Sequence, residues 1–531
     1  MRMTVKDFLR RYRSLLFWPA AIIPLYVFYV YGISNNPPGF YLDESGIAYN
    51  AYLISHTGAG EFGVRWPLFF QFYTGPFIQY GNPTQIYLLA IPYFLFPPSI
   101  LLARLYCAAW VFAASMLLGL FAARISGQRA IGIIVALNAL LTPWLFEVGR
   151  LVLDVFFYPM ALVLFFFALY RAHKKERWTL LDITLLALTL ALLTYTYTTG
   201  RLLAPLLALG LLFFAINKQR LIAIVKTWVA YAVTLIPLLV FNLRHPGALS
   251  QRFYLISYIK PQSTWSDIAL QFVKRFTEEF SLGSLLLNGD VNPRHHVAGS
   301  LGSVFVATFI LAGMGFTLVV IRHWGDPWWH FMLYGLFASV VPGALTGDQF
   351  HTLRLIAFPV FLLVMNIPAL AWLLNADMRG QEPVESKRLK KVKRRQAQRE
   401  SSGRDLSPSV RRIILFVLLA LTVVQGAYFQ LRFHRDGPKR GLAFDTGYRE
   451  LYTAAMLDPS RPIYLKDGYW GPAYIHAYWY ATLERRSTSE FIHLPYGVLP
   501  PPGGLVLSSE AKCTNCQIIM QRAPYTLYRA L

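Results

Sequence analysis

The sequence predicts an all-α polytopic membrane bundle of about eleven spans, followed by a small extracytoplasmic domain of α/β or α+β type. Three observations predict it. The 531 residues are 55% hydrophobic and 16% aromatic, with a mean hydropathy of +0.42, a composition of membrane proteins rather than soluble domains. Apolar runs of near-spanning length recur from residue 15 to residue 430. The last 100 residues, from 432 to 531, instead break into short strand-like and helix-like stretches separated by turn residues.

The apolar runs cover residues 15–33, 99–123, 130–146, 155–171, 179–197, 202–216, 221–241, 301–322, 328–345, 353–375 and 412–430. A full span takes about 20 apolar residues. The first run follows a basic N-terminus but no small-residue cleavage site comes after it, so it reads as a retained span. Residues 84–97 are apolar yet short and contain Pro92, which suits an interfacial segment. Charge fixes the orientation. Residues 1–13 hold five basic residues and one acid, and residues 376–412 hold twelve basic residues and five acids. With 84–97 left on the surface, both blocks, and the basic loops at 124–129 and 173–177, fall on the cytoplasmic side. The N-terminus is then inside and the C-terminus outside. The net charge of +23 therefore belongs to juxtamembrane segments facing membrane lipids, and nucleic acid is not an expected partner.

This topology divides the chain into a membrane domain, residues 1–431, and an outer domain, residues 432–531. Residues 376–411 form a cytoplasmic basic linker, partly disordered over 379–405 on composition. Outside lie the long loop 34–98, the turn 147–154, the loop 242–300 and the turn 346–352. In the outer domain, Arg461 to Lys466 and Gly504 to Ser508 read as strands, broken by Asp467-Gly468 and Pro500-Pro501-Pro502-Gly503. Cys513 and Cys516 have no second pair or histidine run for zinc, and outside the cytoplasm they suit a local disulfide. Cys107 sits in an apolar span as core.

Ionisable residues gather on the outer side, where charge near a membrane is costly unless it binds ligands or protons. Loop 34–98 carries Asp43-Glu44 and Arg65, and the second outer turn carries Glu147, Arg150 and Asp154. Tyr197 and Arg201 mark the third turn, Asp290 to His296 precede the eighth span, and His351 and Arg354 open the tenth. Each has a plainer reading. Asp43-Glu44 can cap the helix that starts near Ser45. Arg150 and Asp154, four apart, can pair on one helical face. Arg65 can snorkel to headgroups, and His351 and Arg354 can be interfacial. Adjacent His295 and His296 point apart, so no two-histidine metal site is expected from them. Joined, the residues suit a phosphorylated substrate that carries a hydroxyl reaction. Arginine binds phosphate through a paired fork, and a carboxylate beside it takes a proton from a hydroxyl. A lipid-linked phosphosugar fits this setting, its tail in the bilayer.

Several motifs in order carry a family resemblance over residues 15–375. They are Tyr41-Leu42-Asp43-Glu44 after the first span, Gly63-Val64-Arg65-Trp66-Pro67-Leu68, the Arg150/Asp154 pair, Gly289-Asp290-Val291-Asn292-Pro293-Arg294-His295-His296, and His351-x-x-Arg354. In these the chain resembles the GT-C superfamily of membrane glycosyltransferases. Within it, the chain is similar to the dolichyl-phosphate-mannose protein mannosyltransferase-like family, which includes bacterial aminoarabinose transferases of lipid A. The resemblance implies inverting transfer of a hexosyl or pentosyl group from a polyprenyl-phosphate sugar to a lipid, glycan or protein acceptor. It implies Asp43 as general base and gives Asp154 a role in positioning the acceptor or base; Glu44, beside Asp43 among the catalytic candidates, is a supporting or structural acid. Arg65, Arg150, His351 and Arg354 would bind the donor phosphate, and Tyr197, Arg201, Arg294 and His295 would complete the substrate contacts. Val64 stands where relatives often carry an acid. No cofactor is expected beyond the lipid-phosphate sugar as substrate. The carboxylates admit a divalent cation, but no dedicated oxygen-ligand loop is legible.

Two other classes compete with the transferase. A transporter or flippase of lipid-linked sugars would show repeats and mid-membrane charge; no repeat is visible and the charges cluster on one face. An oligosaccharide ligase or polymerase would move a chain rather than one sugar. Release of polyprenyl phosphate, not pyrophosphate, separates the transferase from it.

Overall fold

The computed structural model describes residues 21–74, 78–376, 406–469, 471–472, 474–510, 513 and 515–531. The basic N-terminus, residues 15–20 of the first apolar run and the linker at 379–405 lie outside the described residues. Helix α1 covers 21–29. The chain then enters a helical excursion made of α2 (Leu42–Thr57), a hairpin of β1 (Phe70–Phe72) and β2 (Gln79–Gly81), and α3 (Pro83–Leu95). Pro83 opens α3 at a position where its missing N–H costs nothing. The short segment expected at 84–97 is this helix.

From residue 99 onward each apolar run coincides with helix. These are α4 (Ile100–Ser126), α5 (Arg129–Leu141), α6 (Pro143–Val148), α7 (Tyr158–His173), α8 (Leu180–Thr196), α9 (Gly200–Gly210), α10 (Lys218–Thr234) and α11 (Ile236–Arg244). The run at 130–146 is broken because Pro143 cannot continue a hydrogen-bonded turn. The loop from 245 to 305 carries α12 (Gln251–Ile256) and α13 (Trp265–Glu278), and the bundle resumes with α14 (Val306–Arg322), α15 (Pro327–Ala338), α16 (Val341–Ala344), α17 (Phe358–Leu373) and α18 (Pro408–Asp436). Three helical stretches among the described residues are long and apolar enough to cross a membrane: Ile100–Ser126, Lys218–Arg244 and Pro408–Lys439. At 27 residues, α4 is about 40 Å long, more than a hydrocarbon core. Other apolar helices run 10–17 residues.

Helix α18 continues unbroken past residue 431 to Asp436, and the elements of the sheet domain follow it. It comprises α19 (Thr446–Leu457), β3 (Ile463–Lys466), α20 (Tyr474–Leu483), β4 (Phe491–Leu494), β5 (Leu505–Ser508), β6 (Cys516–Arg522) and β7 (Tyr525–Ala530). The sheet order is β4-β3-β5-β7-β6. β3 is parallel to β4 and to β5, whereas β7 is antiparallel to β5 and β6. The parallel neighbours β3 and β4 are joined by the α20 crossover that such pairs require. The two stretches read as strands from sequence are β3 and β5, neighbours in the sheet. Cys513 and Cys516 form a disulfide ahead of β6, and Cys107 is free and buried.

This domain is bolted to α2 and α3. Trp479 of α20 is buried and stacks on Phe40, centroids 5.8 Å apart, with Tyr93 at 5.9 Å. The Leu42 N–H donates to Asp445 at 3.2 Å, and Ser45 Oγ and His476 Nδ1 lie 2.9 Å apart. In the bundle, α14 and α17 touch backbone to backbone. A Cβ on Gly315 would lie 1.7 Å from the Met365 carbonyl oxygen, whereas one on Gly313 would meet nothing within 4 Å. Apolar helices gain little from water exclusion in a bilayer, so close approach of this kind holds them. Gly315→Ala should lower the unfolding midpoint in detergent, by an overpacking cost of about 1–3 kcal/mol. Gly313→Ala should leave it unchanged, and equal midpoints for both variants would refute this account of the contact.

Candidate active site

Helix α2 opens on the acidic pair and gives its two members different surroundings. Glu44 is fully buried. Its Oε2 accepts the Tyr41 N–H at 2.9 Å and its Oε1 accepts the Val152 N–H at 3.0 Å. Arg104 of α4 stands 3.4 Å from Oε2 and donates also to the Pro37 and Gly39 carbonyls. Both carboxylate oxygens are therefore committed to protein donors. Glu44, expected beside Asp43 as a supporting or structural acid, is held at both oxygens inside the protein.

Asp43 is partly buried and accepts one hydrogen bond, from Tyr73 Oη to Oδ1 at 3.0 Å. Among the described residues no hydrogen bond reaches its Oδ2. Arg252, exposed on α12, lies within Coulombic reach of Asp43, Asp154 and Tyr197, and its guanidinium donates to Gln79 Oε1. The Tyr197 phenol is in turn within reach of Asp154, Arg354, Arg252 and Asp43. One chamber thus gathers residues from five segments of the chain.

Asp154 is organised through Asn82, the residue before Pro83. The Asn82 amide donates to Asp154 Oδ2 at 2.8 Å and to Thr198 Oγ1 at 3.2 Å, and its carbonyl accepts from Arg201 Nη2 at 2.7 Å. Burial pushes the Asp154 carboxyl up to about 6, and Asp43 adds to it; the Asn82 bond and Arg252 act against it. Arg201 is placed by Asn82, by the Leu249 carbonyl at 3.2 Å and by the Phe69 ring 5.0 Å away.

The Asp290 to His296 stretch folds by two successive side-chain turns. The Asn292 N–H donates to Asp290 Oδ1 at 2.8 Å, and the Arg294 N–H donates to Asn292 Oδ1 at 3.0 Å. This lays Arg294 over the Tyr41 ring at 4.0 Å, beside the acidic motif. His295 Nδ1 is 3.0 Å from Asp290 Oδ2, which also accepts from the Thr352 N–H and hydroxyl. Burial opposes ionisation of Asp290, but His295, His351 and the Asn292 N–H outweigh it and hold the carboxyl below its usual range. His296 turns the other way, to Glu147 Oε2 at 2.7 Å. The adjacent histidines do point apart, each to its own carboxylate. A second imidazole nevertheless arrives from His351, whose ring centre is 4.7 Å from that of His295.

Asp290, His295 and His351 place one ligand atom each within 4.8 Å of one another. Two imidazoles and a carboxylate are a donor set for zinc and similar cations. His351 fits that use, because burial holds its ring neutral and its Nδ1 is buried without a hydrogen-bond partner. Arg354 donates to Thr346 Oγ1 at 2.7 Å and pairs with Asp348. Next to it Glu279 is buried with neither oxygen hydrogen-bonded in the structure, and burial pushes its carboxyl up to about 9 despite Arg354 and Arg275. Glu279 therefore favours its neutral form, and the carboxylate that pairs with Arg354 is the more exposed Asp348.

Two expected phosphate ligands stand apart from this chamber. Arg150 does not pair with Asp154; residues 149–157 are turns, so the four-residue spacing sets no common face. It is buried, donates to the Tyr29 and Tyr31 carbonyls at 2.7 and 3.1 Å, and lies 3.9 Å from the Phe146 ring centre. Arg65 is exposed in a turn closed by the Ala59–Arg65 bridge and enters none of the hydrogen bonds above. Arg252, Asn82, Tyr73 and Glu279 were not singled out from sequence. Asn82 alone had a local signal, as a helix-capping residue type before proline.

No protein-family model and no curated protein sequence matches the chain. Solved structures do. ArnT from Cupriavidus metallidurans in the apo state aligns with 97% of this chain and 98% of its own, at TM-score 0.58 and 11% identity. The same protein bound to undecaprenyl phosphate aligns over 96% and 97%, at TM-score 0.56 and 11% identity. The apo oligosaccharyltransferase of Archaeoglobus fulgidus aligns with 88% of this chain and 64% of its own, at TM-score 0.51 and 14% identity. At these identities the likeness is one of fold: from its outer helices to its terminal sheet the chain has an ArnT-like architecture, and the GT-C resemblance carried by its motifs is met at that level.

Proposed function

We propose that the protein is a multi-pass membrane glycosyltransferase that moves one sugar, with inversion, from a polyprenyl-phosphate donor to an acceptor hydroxyl on the outer membrane face. The carrying observation is the unengaged Asp43 Oδ2 in a chamber that also holds Arg252, Arg294 and Arg354. The ArnT neighbour that binds undecaprenyl phosphate supports the choice of donor. The reading keeps eleven spans, a cytoplasmic N-terminus, a membrane domain through residue 431 and an outer terminal domain.

In this reading the acceptor hydroxyl donates to Asp43, with Tyr73 holding the carboxylate in place. As the acceptor oxygen attacks the anomeric carbon from the face opposite the phosphate, its proton passes to Asp43. The bond from the anomeric carbon to the phosphate oxygen breaks, and its electron pair leaves with the polyprenyl phosphate. Arginine forks stabilise that charge as it grows. Arg354 and Arg294 approach the donor phosphate, Arg252 bridges the phosphate and Asp43, and Tyr197, Arg201 and Asp154 shape the sugar subsite. His295, His351 and Asp290 would hold a divalent cation, which would add counter-charge for phosphate. The acceptor is a lipid, glycan or protein hydroxyl.

Asp43→Asn should lower transfer by about 10²–10⁴-fold with insertion and unfolding midpoint intact, measured as polyprenyl phosphate released by the purified protein. Glu44→Gln should act differently. It unpairs Arg104 inside the protein and should cost about 3–5 kcal/mol in stability. An Asp43→Asn enzyme with wild-type turnover would sink the assignment.

Asp154 supplies a pH test. Its carboxyl is raised to about 6, so it gains a proton as pH falls through that value. Arg252 and Arg201 then lose a counter-charge. Wild-type kcat/KM should fall on the acid side of about pH 6, and Asp154→Asn should be slower but lack that limb. Persistence of the same limb in Asp154→Asn would assign it to another group.

A further inference from the structure

A second cleft, of about 570 Å³, lies toward the opposite end of α2 from Asp43 and takes no part in the proposed reaction. Its walls combine two chemistries. Arg485 and Arg486, just beyond α20, form the cationic side, with His56 of α2 lining the cleft beside them. Arg485 takes a left-handed backbone, φ 57°, and its side chain has no hydrogen bond or ion pair among the described residues. Arg486 is partly offset by Glu484 at 3.1 Å and Glu490 at 3.8 Å, but no carboxylate lines the cleft itself. The other side is Phe94, Leu95 and Phe96, which are 75%, 64% and 58% exposed.

Three consecutive large apolar side chains are not left exposed to water without cost, at about 25 cal/mol per Å². Their place in the chain explains them. Three residues after Phe96, Ser99 caps α4, the 27-residue helix long enough to span. The apolar wall therefore sits where a bilayer's hydrocarbon begins, and the arginines sit at headgroup level, an arrangement that matches a lipid from both ends. The volume is that of a small-molecule site. Arginine forks fit phosphate oxygens, and unoffset cations disfavour a headgroup that carries its own ammonium.

We propose that this cleft binds the phosphate headgroup of an anionic phospholipid of the outer leaflet, with its acyl chains lying along Phe94 to Phe96. This rests on the membrane placement given above for α4, and not on the assignment of Asp43. The test uses the full-length protein in nanodiscs containing phosphatidylglycerol and phosphatidylcholine. After transfer to detergent, native mass spectrometry counts the lipids retained. Wild type and Asp43→Asn should both keep phosphatidylglycerol over phosphatidylcholine. Arg485→Gln/Arg486→Gln should lose about tenfold of that preference, and Arg485→Glu alone should reduce it, because both positions are exposed and alter no core packing. Unchanged retention in these variants, or equal retention of both lipids by wild type, would overturn the proposal. So would displacement of phosphatidylglycerol by equimolar undecaprenyl phosphate, which would give the cleft to the donor lipid. Lipid retention is read without turnover, so failure here is distinct from failure of the transferase reading.

Discussion

The buried Glu44 carboxylate is the constraint on which the candidate site depends. It ties three parts of the chain together: the start of α2 through the Tyr41 N–H, the turn after α6 through the Val152 N–H, and α4 through Arg104. A charge withdrawn from water must be fully satisfied or it is strongly destabilising, and here every donor comes from backbone or from the buried arginine. Each tie then places a residue that faces the chamber. Asp43 is one step round the helix from Glu44, about 100° away. Asp154 is two residues past Val152. Tyr41, whose N–H closes the first turn, offers its ring to Arg294.

The chamber built on this frame alternates charged and neutral groups. Asp43 and Asp154 share Arg252, and Asn82 separates Asp154 from Arg201 with an amide that satisfies both. Around Arg354 the balance differs, since Asp348 pairs with it while the buried Glu279 is held neutral. The acid side can thus accept a proton and the basic side can receive an anion without the two cancelling each other.

Much of this was legible in the sequence, for reasons that differ by residue. Asp43, Asp154, Arg201, His295 and Arg354 stood out because ionisable residues among apolar runs have few cheap locations. The apolar runs marked helices for the same reason, and breaks at Pro143, at Leu235 and after Ala338 divided them. Arg150 misled because the four-residue rule presumes a helix, and its segment is a series of turns. Glu44 was set apart from Asp43 as a supporting acid, but its partners Val152 and Arg104 were not legible, since both contacts are tertiary. Arg252 lies on a six-residue helix too short to show a periodicity. The approach of His351 to His295 joins positions 56 residues apart that no local pattern connects.

The clamp of Asp445 and His476 on the first turn of α2 has a consequence in time. Those residues leave the ribosome some 400 positions after the helix they hold, and chain segments fold as they emerge. During synthesis the acidic motif therefore waits, already across the membrane in the proposed topology, without its final partners. A nascent chain halted before the sheet domain would be inserted yet unfinished at the place where α2 begins. Completion of this end of α2 is thereby tied to completion of translation.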